Sequence, residues 1–111
     1  LATTVYDIVE IELSNGETLT LKPLPIKKQR KFMEIIQKMD DPNLQSEDDA
    51  MNIFIEAAMV CLEVFKPELS KDKDTFEEVI EIPTMMKILE IAGGLKLNDP
   101  NLLGAALVGM N

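Results

Sequence analysis

The sequence predicts a mostly helical α+β fold, with an N-terminal β-hairpin packed on a bundle of about four to five helices. Two observations carry this expectation. Residues 5–21 alternate apolar and polar side chains around a Ser-Asn-Gly turn, the period-two mark of half-buried strands. From residue 25 onward the apolar residues recur at helical spacing, punctuated by Pro, Asp and Gly. At 111 residues the chain has the usual size of one domain, and no internal repeat divides it. The expected layout is a single domain over 1–111, with the hairpin in 1–24 and the helices in 25–111.

In the first strand Val5, Asp7, Val9, Ile11 and Leu13 alternate with Tyr6, Ile8, Glu10 and Glu12. Thr18 to Leu24 reads as the second strand, with Leu19 and Leu21 on one face. An Asn-Gly two-residue loop would pair Leu13 with Thr18 and mix polar with apolar on both faces. A three-residue loop, Ser14-Asn15-Gly16, pairs Ile11 with Leu19 and Val9 with Leu21. That register collects one apolar face, so it is the one expected. An isolated hairpin is marginal in water, so this face needs helices or another chain against it.

Pro23 and Pro25 end the strand, and Pro25 suits the first turn of a helix running to about Met39. Ile26, Phe32, Met33, Ile35, Ile36 and Met39 form its apolar side. Asp40-Asp41-Pro42-Asn43 breaks it. Ser46 is a good N-cap for a second helix reaching about Phe65, with three acids in its first turn. This helix is apolar nearly all round, and Asn52, Glu56 and Glu63 fall within roughly 40° of one another. It is therefore the central helix, with Ile53, Phe54, Ala57, Cys61, Leu62 and Val64 expected to be buried. Residues 66–74 read as a polar loop, and Asp74 to Glu77 has capping-box spacing for a short third helix ending near Pro83. A fourth helix, Pro83 to Ala92, presents Met85, Ile88, Leu89 and Ala92 on one face and stops at Gly93-Gly94. Asp99-Pro100 starts a last short helix through Met110.

Composition excludes several classes of function. There is no His, so imidazole catalysis and His metal sites are out. The single Cys61 forms neither an intramolecular disulfide nor a cysteine-cluster zinc site. Set in mid-helix with no His to activate it, it reads as a buried thiol. Twenty acids against eleven bases give a net charge of −9, which argues against nucleic acid as a partner. No apolar run reaches the ~18 residues of a membrane span, and no signal-peptide pattern is present. The expected compartment is a reducing cytosol. Leu1 stands where an initiator Met is expected, so a few residues are expected before it. The acidic runs Asp40-Asp41, Glu47-Asp48-Asp49 and Glu77-Glu78 lack EF-hand spacing and fit helix starts and solvated loops. Gly93-Gly94 lacks the Lys-Ser/Thr of a phosphate loop. Neither a cofactor nor a metal is expected.

The charge is segregated along the chain. The first 21 residues hold four acids and no base, whereas Lys22, Lys27, Lys28, Arg30 and Lys31 come with no acid among them. Lys27, Lys28, Arg30 and Lys31 make either a solvated helix face or a docking patch for an acidic partner, such as an acidic face of another copy. Met59 falls within the polar strip of the second helix, where an exposed thioether would suit an adaptable binding face. The stretch from Leu102 to Met110 is uncharged. It is either the last core helix or a docking segment presenting Leu102, Leu103, Leu107 and Met110.

The opening Ile11-Glu12-Leu13-Ser14-Asn15-Gly16-Glu17-Thr18-Leu19-Thr20-Leu21-Lys22-Pro23-Leu24, followed by Lys27-Lys28-Gln29-Arg30-Lys31-Phe32, resembles the small tail assembly chaperones of long-tailed bacteriophages. The ending, Gly93-Gly94-Leu95 through Asp99-Pro100-Asn101-Leu102-Leu103, is similar as well. The resemblance implies a non-enzymatic protein of the host cytoplasm. Its partner would be the tape measure protein, kept soluble until the tail tube polymerises around it. The tail tube protein and further copies of the chain are additional candidate partners. Many relatives also have a longer form made by ribosomal frameshifting. The alternative expectations are a virion structural or connector subunit, and an acidic DNA mimic. A mimic needs carboxylates in regular rows, whereas these cluster at helix starts. An enzyme would need an acid/base pair in a pocket, and no spacing in the chain points to one.

Overall fold

A computed structural model of the protein describes residues 8–44 and 46–95. The alternating residues 5–7, the helix expected over 100–110, and the docking candidates Leu102, Leu103, Leu107 and Met110 lie outside the described residues. Among the described residues the architecture is the expected α+β one, a two-stranded antiparallel hairpin followed by four α-helices. The hairpin pairs β1 (Val9–Glu12) with β2 (Thr18–Leu21). Val9 faces Leu21 and Ile11 faces Leu19, the register required to collect one apolar face. Gly16 takes a φ of +86°, open to glycine at no steric cost, and its N–H donates to the Leu13 carbonyl (2.9 Å). Leu13, Leu19 and Leu21 are buried, with Val9 and Ile11 half-buried against the same core.

Strand β2 stops at Leu21, three residues earlier than its composition indicated, because Pro23 and Pro25 cannot donate to a ladder. The Leu24 N–H donates instead to the Ala92 carbonyl at 3.0 Å, which ties the strand exit to the end of the last helix. Helix α1 spans Ile26–Ile36 and tightens into a 3-10 turn over Gln37–Asp40, short of the regular helix expected to Met39. Asp41 is already extended, as the residue before Pro42 prefers to be.

Helix α2 runs Glu47–Phe65, and the Ser46 side chain accepts from the Asp49 N–H at 3.1 Å as its N-cap. Ile53, Phe54, Ala57, Cys61 and Leu62 are buried as expected, while Val64 is only half-buried. A single 3-10 turn, Pro67–Leu69, sits within the stretch read as loop. Helix α3 (Lys73–Val79) is capped by Asp72 and not by Asp74. The Asp72 carboxylate accepts from the Asp74 N–H (3.1 Å) and from the Thr75 hydroxyl (3.0 Å); Asp74 would lack the second of these, since Glu77 stands three residues after it.

Helix α4 (Ile82–Ile91) opens with Pro83 in its first turn and buries Met85, Ile88 and Leu89. Gly94, at φ +72°, turns the chain so that the Leu95 N–H returns to the Leu89 carbonyl at 3.1 Å. Gly93 lies so close to the Phe32 ring that a Cβ there would overlap it. The hairpin loop is fastened at both ends of the next layer: the Ser14 hydroxyl donates to the Val79 carbonyl (2.8 Å), and Lys66 pairs with Glu17.

Candidate functional site

The polar strip of α2 explains how α1 is placed. Lys28 Nζ stands 2.8 Å and Lys31 Nζ 3.4 Å from the Glu63 carboxylate, and Lys38 reaches Glu56 at 3.2 Å. Rising residue numbers on α1 therefore meet falling numbers on α2, so the two helices run antiparallel. The hydrogen bond from Lys28, backed by the charge of Lys31, holds the Glu63 carboxyl below the usual carboxylate range. Met59, on the same strip between these ion pairs, is half-buried against the core and not freely exposed.

The expected four-residue basic patch is thus divided. Lys28 and Lys31 are spent on α2, while Lys27 and Arg30 are exposed and their side chains form no hydrogen bond or ion pair among the described residues. The signal for this division was in the chain: Lys31 and Lys38 are seven apart, as are Glu56 and Glu63.

The second departure concerns the apolar side of α1. Phe32 and Ile36 point into the core, and Ile35 is half-buried. Ile26 and Met33, expected on that side, are turned outward, with 75% of Ile26 exposed. Six apolar positions spread over α1 and its 3-10 extension cover more of the circumference than one packing face can use. Ile26 and Met33 are seven apart, so they share a stripe, and Arg30 lies between them one turn from each. The stripe borders an open cleft of about 410 Å³ that includes Leu24, Arg30 and Glu34. Gln29 anchors the helix beside it, its side-chain amide donating to the Gly93 carbonyl at 2.8 Å.

A second depression opens between α2, α3 and α4. About 220 Å³ in volume, it is lined by Met51, Ile55, Phe76, Ile80, Ile82 and Met85, with Glu77 at its edge. Ile82 is 56% exposed there. Sequence periodicity did not single out this groove, because each lining residue taken alone reads as core.

Burial pushes the Cys61 thiol up to about 12, which keeps it protonated and inert. Among the described residues no cluster of His, Cys, Asp or Glu could hold a metal, and no helix is long and apolar enough to cross a membrane. What the surfaces offer is apolar contact with charge at the rim. No protein-family model, curated protein or solved structure matches this chain.

Proposed function

We propose that the chain is a tail assembly chaperone of a long-tailed bacteriophage, which binds an apolar helical segment of the tape measure protein and keeps it soluble. The observation that supports this reading most directly is the uncovered Ile26–Met33 stripe with Arg30 set within it. Apolar side chains repeating every seven residues on an outward helix face are what a second helix packs against. The net charge of −9 supports it too, since a carrier of apolar cargo has to stay dispersed. A tape measure helix exposes apolar surface until the tube covers it, and such patches aggregate when left bare.

Co-expression tests the reading. The tape measure protein of the same phage should become soluble and co-purify with this chain, and the Ile26→Ser/Met33→Ser double variant should lose both effects. A tape measure protein that stays insoluble, with this chain and with any longer form supplied, sinks the reading. Finding the chain in purified mature virions would then favour a structural subunit.

A further inference from the structure

We infer that the uncharged run of this same chain beyond α4, residues 100–111, docks in cis on the cleft along Ile26 and Met33. The end of α4 lies at that cleft. The Ala92 carbonyl accepts from the Leu24 N–H at 3.0 Å, and the Gly93 carbonyl accepts from the Gln29 side-chain amide at 2.8 Å. Leu24 and Gln29 both line the cleft. Leu95 stands two residues past Gly93, so within about 8 Å of it, and the chain leaves α4 at the cleft's edge. Residues 96–101 reach up to about 20 Å when extended, whereas Ile26 and Met33 are about 10 Å apart along α1. Leu102 and the residues after it can therefore be laid anywhere along the stripe. The groove between α2, α3 and α4 is worse placed. It uses Ile82 and Met85 at the opposite end of α4, whose ten residues span about 15 Å.

The chemistry of the two partners agrees as well. Residues 100–111 are the longest stretch of the chain without Asp, Glu, Lys or Arg. The charged residues that line the cleft are Arg30 and Glu34, one turn apart and of opposite sign, so its lining carries no net charge. Such a surface gives a charged partner nothing to be steered by, and it offers an uncharged one the bare Ile26 and Met33 side chains. Leu103, Leu107 and Met110 recur at the spacing of one helix face, as Ile26 and Met33 do. The short tether holds the run at an effective concentration in the millimolar range, so a contact of only millimolar affinity is formed about half the time. A contact that weak adds little to the stability of the fold and yields readily to a better ligand. The docking does not rest on the chaperone reading. Only its consequence does, namely that a tape measure segment displaces the run to reach the stripe.

Methyl NMR on the full chain tests the inference, with Ile26, Met33 and Ile82 as reporters. The Leu103→Ser/Leu107→Ser variant should shift the Ile26 and Met33 signals and leave that of Ile82 in place. The shifts should persist across a roughly twentyfold dilution, because the contact lies within one chain. Cysteine pairs give a second arm, since Cys61 is buried and does not compete for oxidation. Gln37→Cys sits at the cleft and Glu77→Cys at the edge of the groove, both at exposed positions. Each is paired in turn with Leu102→Cys and with Met110→Cys. With the better of the two partners, Gln37→Cys should close into a disulfide-linked monomer about tenfold faster than Glu77→Cys, because docking raises the local thiol concentration there. Unmoved Ile26 and Met33 signals overturn the inference. So does a shift that disappears on dilution, which would put a second copy on the cleft. Closure at Glu77→Cys as fast as at Gln37→Cys overturns it too. A fall in urea midpoint as large as that of Phe54→Ala when Leu103 and Leu107 become Ser does the same, because the run would then be core. All of these readings are taken on this chain alone, whereas tape measure solubility is read separately by co-expression.

Discussion

Helices α1 and α2 lie side by side and stand in opposite relations to water. In α2 the apolar residues exceed any single stripe, and nearly all are used: the hairpin, α1 and α4 pack against it and Phe76 of α3 joins the same core, leaving beyond the first turn the strip of Asn52, Glu56, Met59 and Glu63 and the groove edge at Met51. In α1 only Phe32 and Ile36 are fully buried, while Ile26 and Met33 remain outside. The difference teaches that hydrophobicity in α2 is accounted for by folding and in α1 is not. An apolar residue that packing does not use is where a search for function starts.

The sharpest way to break this contrast is to truncate side chains in the centre of α2. Phe54 and Leu62 are 2% and 0% exposed, and replacing either with Ala should cost about 2–5 kcal/mol through lost burial and the cavity left behind. For a domain of this size that is a large share of the total stability. Urea denaturation monitored by circular dichroism reads the change, and near-native midpoints for both variants would show that α2 is not the organising helix.

A somewhat smaller effect is expected where α1 meets the end of α4. Gly93→Ala places a methyl group into the ring of Phe32, itself fully buried and without room to retreat. Overpacking of this kind costs about 1–3 kcal/mol. The loss of backbone freedom in the unfolded chain returns roughly 0.4–1 kcal/mol, so the net change is destabilising. A companion variant, Phe32→Leu with Gly93→Ala, should recover part of the loss if the ring is the obstacle. Additive losses in that double variant would place the conflict elsewhere.

The ion pairs between α1 and α2 come next. Glu63 and Lys28 are each about one-third exposed, so solvent screens them, and Glu63→Gln should cost no more than about 1 kcal/mol. Its pH dependence has a definite sign. A carboxyl whose pKa is lower in the folded chain than its ordinary 4.5 adds stability that is complete above that value. The contribution disappears as pH falls through the depressed folded value. The difference between wild type and Glu63→Gln should therefore be constant near neutrality and vanish in acid. A difference that grows on acidification would contradict the pairing.

How much of this was legible in the sequence depends on the range of the interaction responsible. The hairpin register followed from one local requirement, that Val9, Ile11, Leu19 and Leu21 share a face, and the fold obeys it. The Ser46 cap and the stop at Gly94 were equally local. The cap of α3 was ambiguous on the same scale, since Asp72 and Asp74 both precede the helix, and the Thr75 hydroxyl decides between them. The division of the basic cluster was harder to foresee, because it depends on Glu63, more than thirty residues away. Hardest was the outward turn of Ile26. A helical apolar residue reads as core until the neighbouring elements are in place to show that no described element covers it.

The smallest expected change in stability belongs to the stripe itself, and it is the one that bears on function. Ile26 is 75% exposed, so little burial is lost when it becomes Ser. Substitutions at such surface positions usually stay within about ±0.5 kcal/mol. Serine is a slightly poorer helix former than isoleucine's straight-chain replacements, so Ile26→Gln serves as a second variant that keeps helix propensity. Both should unfold at nearly the wild-type urea midpoint, in contrast to Phe54→Ala. If α1 carries apolar residues for a partner, these same variants should lose association with that partner while keeping the fold. Destabilisation by 2 kcal/mol or more, on the scale of a core truncation, would mean that Ile26 is packed in the folded chain. The contrast between α1 and α2 would then dissolve, and with it the reason for looking to this stripe.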